Sequence, residues 1–467
     1  MSTRSRQTSS KSGPDRREKA SMTAPVMRRR SKAMMRKMVA LLGLALIVAM
    51  PCWAGNGNML HGFGAVNSSM GGAGAGLWVE DPVGALMFNP ALISRSDGNH
   101  VFFGTEFFKD GVEIDVAVTN GPTGSADPSN QLGILPAIGW TLQEEGSKLG
   151  FGFGLIAIAG FRTDYPEDPA SIAFAQPPAG FGRIYTDHRV VKIPTAVSYQ
   201  ANDKLALGLS VNIYAGELAI APLPFRVFDV VGDDDANRFY AQGDGLDLSF
   251  AWSIQPAFLY EVSDLISVGG SLTTEQDFAE FRWNSTIAHP DDPNYGKHRR
   301  LGFDLDGPMN VTMGVGITPG GKTQIAADVT WLKYDGVGGF GLPGGIIDRV
   351  IQPFGWHNVW AYKIGAVHQV NDKHTLRLGY NYGSVMMPKR NVLTATGAPA
   401  FFKHHFSLGH TLQVNEFMRA NMGFYYVPRS GATGPFINLD GDTVGTVEES
   451  NTLTSLQVGL SWAFGGS

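Results

Sequence analysis

Between Asp372 and Ser384, apolar and polar side chains alternate with a period of two. Leu376, Leu378, Tyr380 and Tyr382 share one face; Thr375, Arg377, Gly379, Asn381 and Gly383 share the other. Successive side chains of a β-strand point to opposite sides, so this pattern predicts a strand with one apolar and one polar wall. It recurs in Leu205, Leu207, Leu209, Val211 and Ile213 against Ala206, Gly208, Ser210 and Asn212. It recurs again in Leu456, Val458, Leu460, Trp462 and Phe464 against Ser455, Gln457, Gly459 and Ser461. About fourteen such segments are predicted. They are Asn99–Lys109, Leu132–Gln143, Lys148–Gly160, His188–Gln200, Lys204–Glu217, Gly245–Tyr260 and Leu265–Trp283, then Met309–Thr318, Thr323–Tyr334, Asn358–Val370, His374–Ser384, His404–Val414, Phe417–Val427 and Asn451–Phe464.

A soluble sandwich or propeller would turn these apolar faces into a core. Three features favour lipid instead. The strands run about 10–15 residues, where soluble strands average about 5–6 and tilted membrane strands need about 9–11. Aromatic residues gather at strand ends, as in Trp356–Tyr362 and Phe424–Tyr426, in the manner of interfacial girdles. Short polar turns such as Gln200–Lys204, Thr318–Lys322 and Val370–Lys373 alternate with long Gly-, Pro- and Asp-rich loops at Ala221–Gly243, His289–Asp306 and Val427–Ser450. Short turns at one rim and long loops at the other are the layout of an outer-membrane barrel. The fold class is therefore all-β, a 14-stranded antiparallel transmembrane β-barrel.

Charge and leader agree with export. Residues 1–54 carry 12 Lys and Arg against Asp15 and Glu18, a net of +10; the whole chain is −5, so the body carries −15. An acidic body argues against nucleic acid as a partner. The basic stretch Met27–Met38, the 12-residue apolar run Val39–Met50 and the small residues of Pro51–Ala54 make up a secretory signal peptide, too short to span a membrane. Residues 1–26 read as a disordered extension or an over-called start. Cleavage after Ala54 would remove Cys52, the one cysteine, which leaves no disulfide framework. The expected division is signal peptide 27–54, a small Gly-rich block 55–98, the barrel 99–464 and a tail 465–467.

No catalytic constellation stands out: there is no G-x-S-x-G, H-E-x-x-H, P-loop or C-x-x-C, so no enzyme, cofactor or metal is expected. Gly152–Ala157 fits G-x-G-x-x-A, but it lies in a strand with no helix after it and fails that motif's structural context. Asp233–Asp235, His289–Asp292 and the pair His404–His405 read as loop or rim features.

Several stretches carry a family likeness. Ser68–Ser94, ending in Asn89-Pro90-Ala91, resembles the N-terminal block of the FadL/TodX family of outer-membrane transporters for long-chain fatty acids and other hydrophobic compounds. Leu149–Pro166 resembles that family's third-strand region, and Ile193–Ile213, Met309–Tyr334 and Trp360–Tyr382 are similar to its strand–turn–strand pairs. The resemblance implies that residues 55–98 form a hatch inside the lumen. Gly71, Gly72, Gly74 and Gly76 would permit close backbone approach, and Pro90 would make a rigid corner with Asn89. It also implies a kinked third strand that opens a side passage, with Gly150, Gly152, Gly154 and Gly160 as candidates. By strand parity Arg377, Lys363 and Asn381 point into the lumen, where they could receive a carboxylate or pair with hatch acids such as Glu80 or Asp81. The Phe-rich stretches Val101–Phe108 and Phe401–Phe406 are candidate entry linings. The expected function is passive, hatch-gated uptake of a hydrophobic small molecule by a monomer in the outer membrane of a Gram-negative bacterium. Its expected neighbours are membrane lipid, lipopolysaccharide and the barrel-assembly machinery. A general porin or a surface adhesin is the alternative.

Overall fold

The computed structural model describes residues 55–465, apart from 130–131, 226–227, 233–236, 342, 348–349 and 439. The expected extension, the signal peptide and Asp233–Asp235 lie outside the described residues.

Fourteen strands form the wall: β1 Gly98–Val118, β2 Leu132–Gln143, β3 Leu149–Tyr165, β4 Ile184–Gln200, β5 Leu205–Ala221, β6 Gly243–Ser263, β7 Ile266–Thr273, β8 Met309–Gly320, β9 Thr323–Lys333, β10 Val359–Gln369, β11 His374–Gly383, β12 His404–Gln413, β13 Met418–Ile437 and β14 Thr443–Phe464. Each pairs antiparallel with its sequence neighbours. The sheet closes where β14 pairs with β1, from Asn99↔Phe464 to Val118↔Gly445. Closure leaves no open edge, as a structure spanning hydrocarbon requires.

The apolar rows face outward. Leu378 and Trp252 are each 67% exposed, whereas Asn381, Asn212 and Ser253, at the opposite parity, are fully buried. A water-soluble protein would reverse this arrangement. Two segments differ from expectation. Val427–Ser450 is not a loop: β13 and β14 extend through it as a hairpin, with a register shift between Val427 and Ser430. Its Gly, Pro and Asp content suggested a loop, but the partner strand β1 carries the ladder that far. Leu265–Trp283 is not one strand. β7 ends at Thr273, and a separate hairpin, Phe281–Thr286 with His298–Phe303, follows. The intervening chain still runs beside β6, through Thr274 N to Ile254 O (3.1 Å) and Ala279 N to Phe250 O (3.3 Å).

Residues 55–97 pack against inward-facing wall residues. Two short helices shape them, α1 Gly64–Ser68 and α2 Pro82–Phe88, followed by a 3₁₀ turn at Pro90–Arg95. Asp81 caps α2 by accepting from Val83 N at 3.1 Å, with Pro82 at the first helical position, where its missing N–H costs nothing.

Candidate functional site

The inner segment is held to the wall by polar contacts at its backbone. Asp328 Oδ2 accepts from Gly74 N (2.8 Å) and Ala75 N (2.9 Å). Ser271 Oγ donates to Phe88 O (2.6 Å) and Gln255 Nε2 to Met87 O (3.0 Å). Hydrogen bonds to a charged group contribute about 1.5–3 kcal/mol each. Asn89 lies between α2 and the 3₁₀ turn. Its Nδ2 donates to Ala75 O (2.6 Å) and to Phe258 O of β6 (2.9 Å), while its Oδ1 accepts from Ala91 N (3.0 Å). The Asn-Pro-Ala corner thus caps the turn and ties it to the wall.

Glycines meet across this interface. Gly71, at φ +65°, is one such case. A Cβ there would sit 2.7 Å from the backbone of Tyr380, and Gly379 of the wall abuts Met70 and Gly71 in return. Only glycine combines the left-handed backbone with that approach. Gly76 likewise meets Gly314.

Space divides on the two sides of the inner segment. At the long-loop end lies a cavity of about 290 Å³, lined among others by Ile172, Phe174, Phe225, Ile351, Phe354 and Phe436. No charged residue lines it among the described residues. Beneath it runs an aromatic column. Phe354 lies 6.0 Å from Phe161 between ring centroids and 5.8 Å from Trp356, which stacks on Phe340 at 4.5 Å. A cleft of about 30 Å³ follows, bordered by Phe63, Phe88, Lys192 and Lys363. At the short-turn end, a vestibule of about 450 Å³ is lined by Arg95, Lys322, Lys373, Arg377 and Arg419 facing Glu80, Asp97 and Asp372.

The wall itself parts between β2 and β3. β2 and β3 pair only from Gln143↔Gly150 to Ala137↔Ile156. Beyond that, β2 stays with β1 and β3 with β4, with a register shift between Ala157 and Ala159. Gly160, at φ +155°, follows that shift. The inner segment borders the parting, with Leu60 N donating to Ile158 O (3.3 Å) and Gly160 N to Asn58 O (3.3 Å). A small cleft here is bordered by Leu60, Phe63, Glu106, Leu135 and Ile156.

The expected site residues fall in different places. Of the four candidate kink glycines, Gly150, Gly152 and Gly154 face Ile93 or Leu86 of the inner segment, and Gly160 alone lies at the parting. Arg377, Lys363 and Asn381 do not converge. Lys363 and Asn381 are cross-strand partners. Lys363 Nζ lies 4.1 Å above the Phe88 ring. Asn381 reaches Asn56 Oδ1 at 3.5 Å. Arg377 lines the vestibule and donates to Thr411 Oγ1 at 2.6 Å. Glu80 pairs with Arg419. Neither Phe-rich stretch lines the loop-end cavity: Phe102, Phe108, Phe401 and Phe402 are buried elsewhere, and Phe103 and Phe406 face outward. His404 points out to Tyr380 OH (2.8 Å), while His405 points in and stacks on His61 at 4.7 Å.

Asp328, Lys192 and Glu106 were not singled out beforehand. Parity alone places each on the inward face of its strand, so that signal was present. At the loop end, Asp306 accepts from Phe278 N at 2.8 Å. Partial burial, helped by the neighbouring Asp277, Asp304 and Glu275, pushes its carboxyl up to about 6.

Residues 45–434 match the family described as outer membrane protein transport protein (OMPP1/FadL/TodX). No curated protein is significantly similar to the chain in sequence. Three solved structures share the fold. The Pseudomonas putida toluene transporter TodX is 18% identical, with TM-score 0.62, over 87% of this chain and 100% of that one. A Pseudomonas aeruginosa FadL homologue is 14% identical, with TM-score 0.66, over 87% and 99%. The Ralstonia pickettii toluene transporter TbuX is 16% identical, with TM-score 0.59, over 85% and 98%.

Proposed function

Since the chain belongs to the outer membrane protein transport family (OMPP1/FadL/TodX), whose members are channels for hydrophobic compounds rather than enzymes, we propose that this outer-membrane barrel takes up small neutral hydrocarbons passively. Residues 55–97 act as the hatch. The observation that carries this reading is the loop-end cavity, which no charged residue lines among the described residues. Burying an aromatic ring with about 150 Å² of apolar surface contributes roughly 4 kcal/mol, enough to draw a solute out of water. An isolated carboxylate entering the same cavity would lose its hydration with nothing to replace it. Two of the structures that share the fold are toluene transporters, which agrees in size and polarity.

In this reading the solute descends the aromatic column from Phe354 to Phe161. Phe161 follows Gly160 directly, so the column ends beside the parting of β2 and β3. The solute then leaves sideways into the membrane, avoiding the charged vestibule.

A second reading follows from Lys192 and Lys363, both bordering the 30 Å³ cleft. Lys192 Nζ donates to Gln255 Oε1 at 2.9 Å, and no carboxylate pairs with it among the described residues. These two amines are suited to a fatty-acid carboxylate.

Equilibrium binding of toluene and of dodecanoate to the purified barrel separates the two readings. Neutral uptake requires toluene to bind, and Phe354→Asp to weaken it strongly. Tight dodecanoate binding that is lost in Lys192→Met, with none for toluene, would replace the first reading by the second.

A further inference from the structure

The inward face of β1 forms a ladder from the loop-end cavity to the parting in the wall. Val118 lines the cavity. Below it, Val116, Ile114 and Val112 are buried and apolar. Asp110 and Phe108 come next, and Glu106 borders the cleft at the parting. The apolar rungs thus give way to two carboxyl groups, Asp110 and then Glu106, and the second stands where a solute leaving sideways would pass.

Glu106 is 4% exposed. Its Oε1 accepts from Tyr425 OH (2.7 Å) and Ser455 Oγ (2.8 Å). Gln457 Nε2 donates to Ser455 Oγ at 2.7 Å and sets that hydroxyl. Donors aimed at a carboxylate favour its ionised form. No cation forms an ion pair with Glu106 among the described residues. A second carboxylate, Glu449, pairs with Ile114 in register; it is fully buried, and neither of its oxygens has a hydrogen-bond partner. At the parting itself the charge therefore rests on Glu106, the carboxylate that has hydroxyl donors aimed at it. The opposite lysines, Lys192 and Lys363, border a different cleft.

We propose that Glu106 is the charge-selecting residue of the side opening: it lets neutral hydrophobic solutes pass toward the membrane and turns anionic amphiphiles back. The proposal rests on the sideways-exit reading above. A fixed carboxylate about 5–7 Å from an anionic headgroup, at an effective dielectric of about 20, disfavours that headgroup by roughly a hundredfold. The selection also explains an otherwise costly choice, an acid buried in the wall where Gln would make similar hydrogen bonds.

The test is paired uptake of toluene and octane-1-sulfonate by intact Gram-negative cells lacking their own proteins of this family. The sulfonate stays charged at every accessible pH. With the full-length protein, toluene enters and the sulfonate lags. Glu106→Gln raises the sulfonate-to-toluene ratio at least about tenfold; Glu106→Asp, which keeps the charge, does not. Leu135→Lys places a cation across from Glu106 in the β1–β2 register and raises the ratio as well, an independent check if Glu106→Gln reaches the membrane poorly. An unchanged ratio in Glu106→Gln or Leu135→Lys protein that still carries toluene overturns the charge-selecting role alone. Absence of toluene uptake by the unmodified protein overturns the uptake reading and this inference with it.

Discussion

The two spaces flanking the inner segment are opposites. The loop-end cavity of about 290 Å³ is built largely from Ile, Val, Phe, Pro and small residues, with no charged residue in its lining among the described residues. The turn-end vestibule of about 450 Å³ sets five Lys and Arg against three Asp and Glu. The first offers an apolar solute a place that water does not; the second offers it nothing. The difference teaches direction. A solute held at the loop end gains no affinity by moving straight past the inner segment, because the next compartment is wet and charged. In the reading proposed above it gains by moving sideways, through a parting bordered by Leu60, Phe63, Glu106, Leu135 and Ile156, into hydrocarbon.

The most severe way to break the comparison is to join the two spaces. Deletion of residues 55–97 is expected to raise single-channel conductance in planar bilayers by orders of magnitude over the intact protein. Steady porin-like conductance from the intact protein would show that the spaces were never separate.

Next in size is charge in the wrong compartment. Ile172→Asp or Phe174→Asp places a carboxylate in the apolar cavity and is expected to weaken toluene binding about a hundredfold. Lys322→Ala, in the vestibule, should change it by less than about twofold. Equal losses from both ends would erase the distinction.

A smaller effect is expected at the partition. Asp328→Ala removes the acceptor for Gly74 N and Ala75 N, leaving two buried donors unpaired at about 1–3 kcal/mol each. Brief openings in bilayer recordings should become roughly tenfold more frequent while the barrel keeps its heat-resistant gel mobility. Unchanged opening would mean that this contact does not hold the segment in place.

The smallest expected effect sharpens the contrast by pH. Asp306 has its carboxyl raised from the ordinary 3.8 to about 6, so the folded loops favour its protonated form. Loop packing is therefore firmest below about pH 4, weakens as pH rises from about 4 to about 6, and is level above that. Its half-exposed position keeps the change small. Limited proteolysis of the loops against pH should show the slope, and Asp306→Asn should flatten it. A slope of opposite sign would refute this assignment.

Much of the wall was legible before the structure. Leu132–Gln143 is predicted and observed with the same bounds, because it has strict alternation and clear turns on both sides. The hairpin over Val427–Ser450 was hidden by loop-like composition. Its pairing is decided by β1, more than 300 residues away in the chain. The loop-end cavity was not legible at all. It is assembled from several connecting segments without periodicity, so neither Phe174 nor Phe354 carried any mark of a binding residue. The site candidates lie between these extremes. Parity put Arg377 and Lys363 inside, yet nothing in the chain said that one would line the vestibule and the other lie over Phe88.

By itself the sequence determined the barrel and its inside-out polarity, since a period of two assigns every side chain to lipid or lumen from local order alone. Only the tertiary structure decided which inward groups meet, where β2 and β3 separate, and which end is dry. Those outcomes depend on distances across the lumen between residues that chain order keeps far apart.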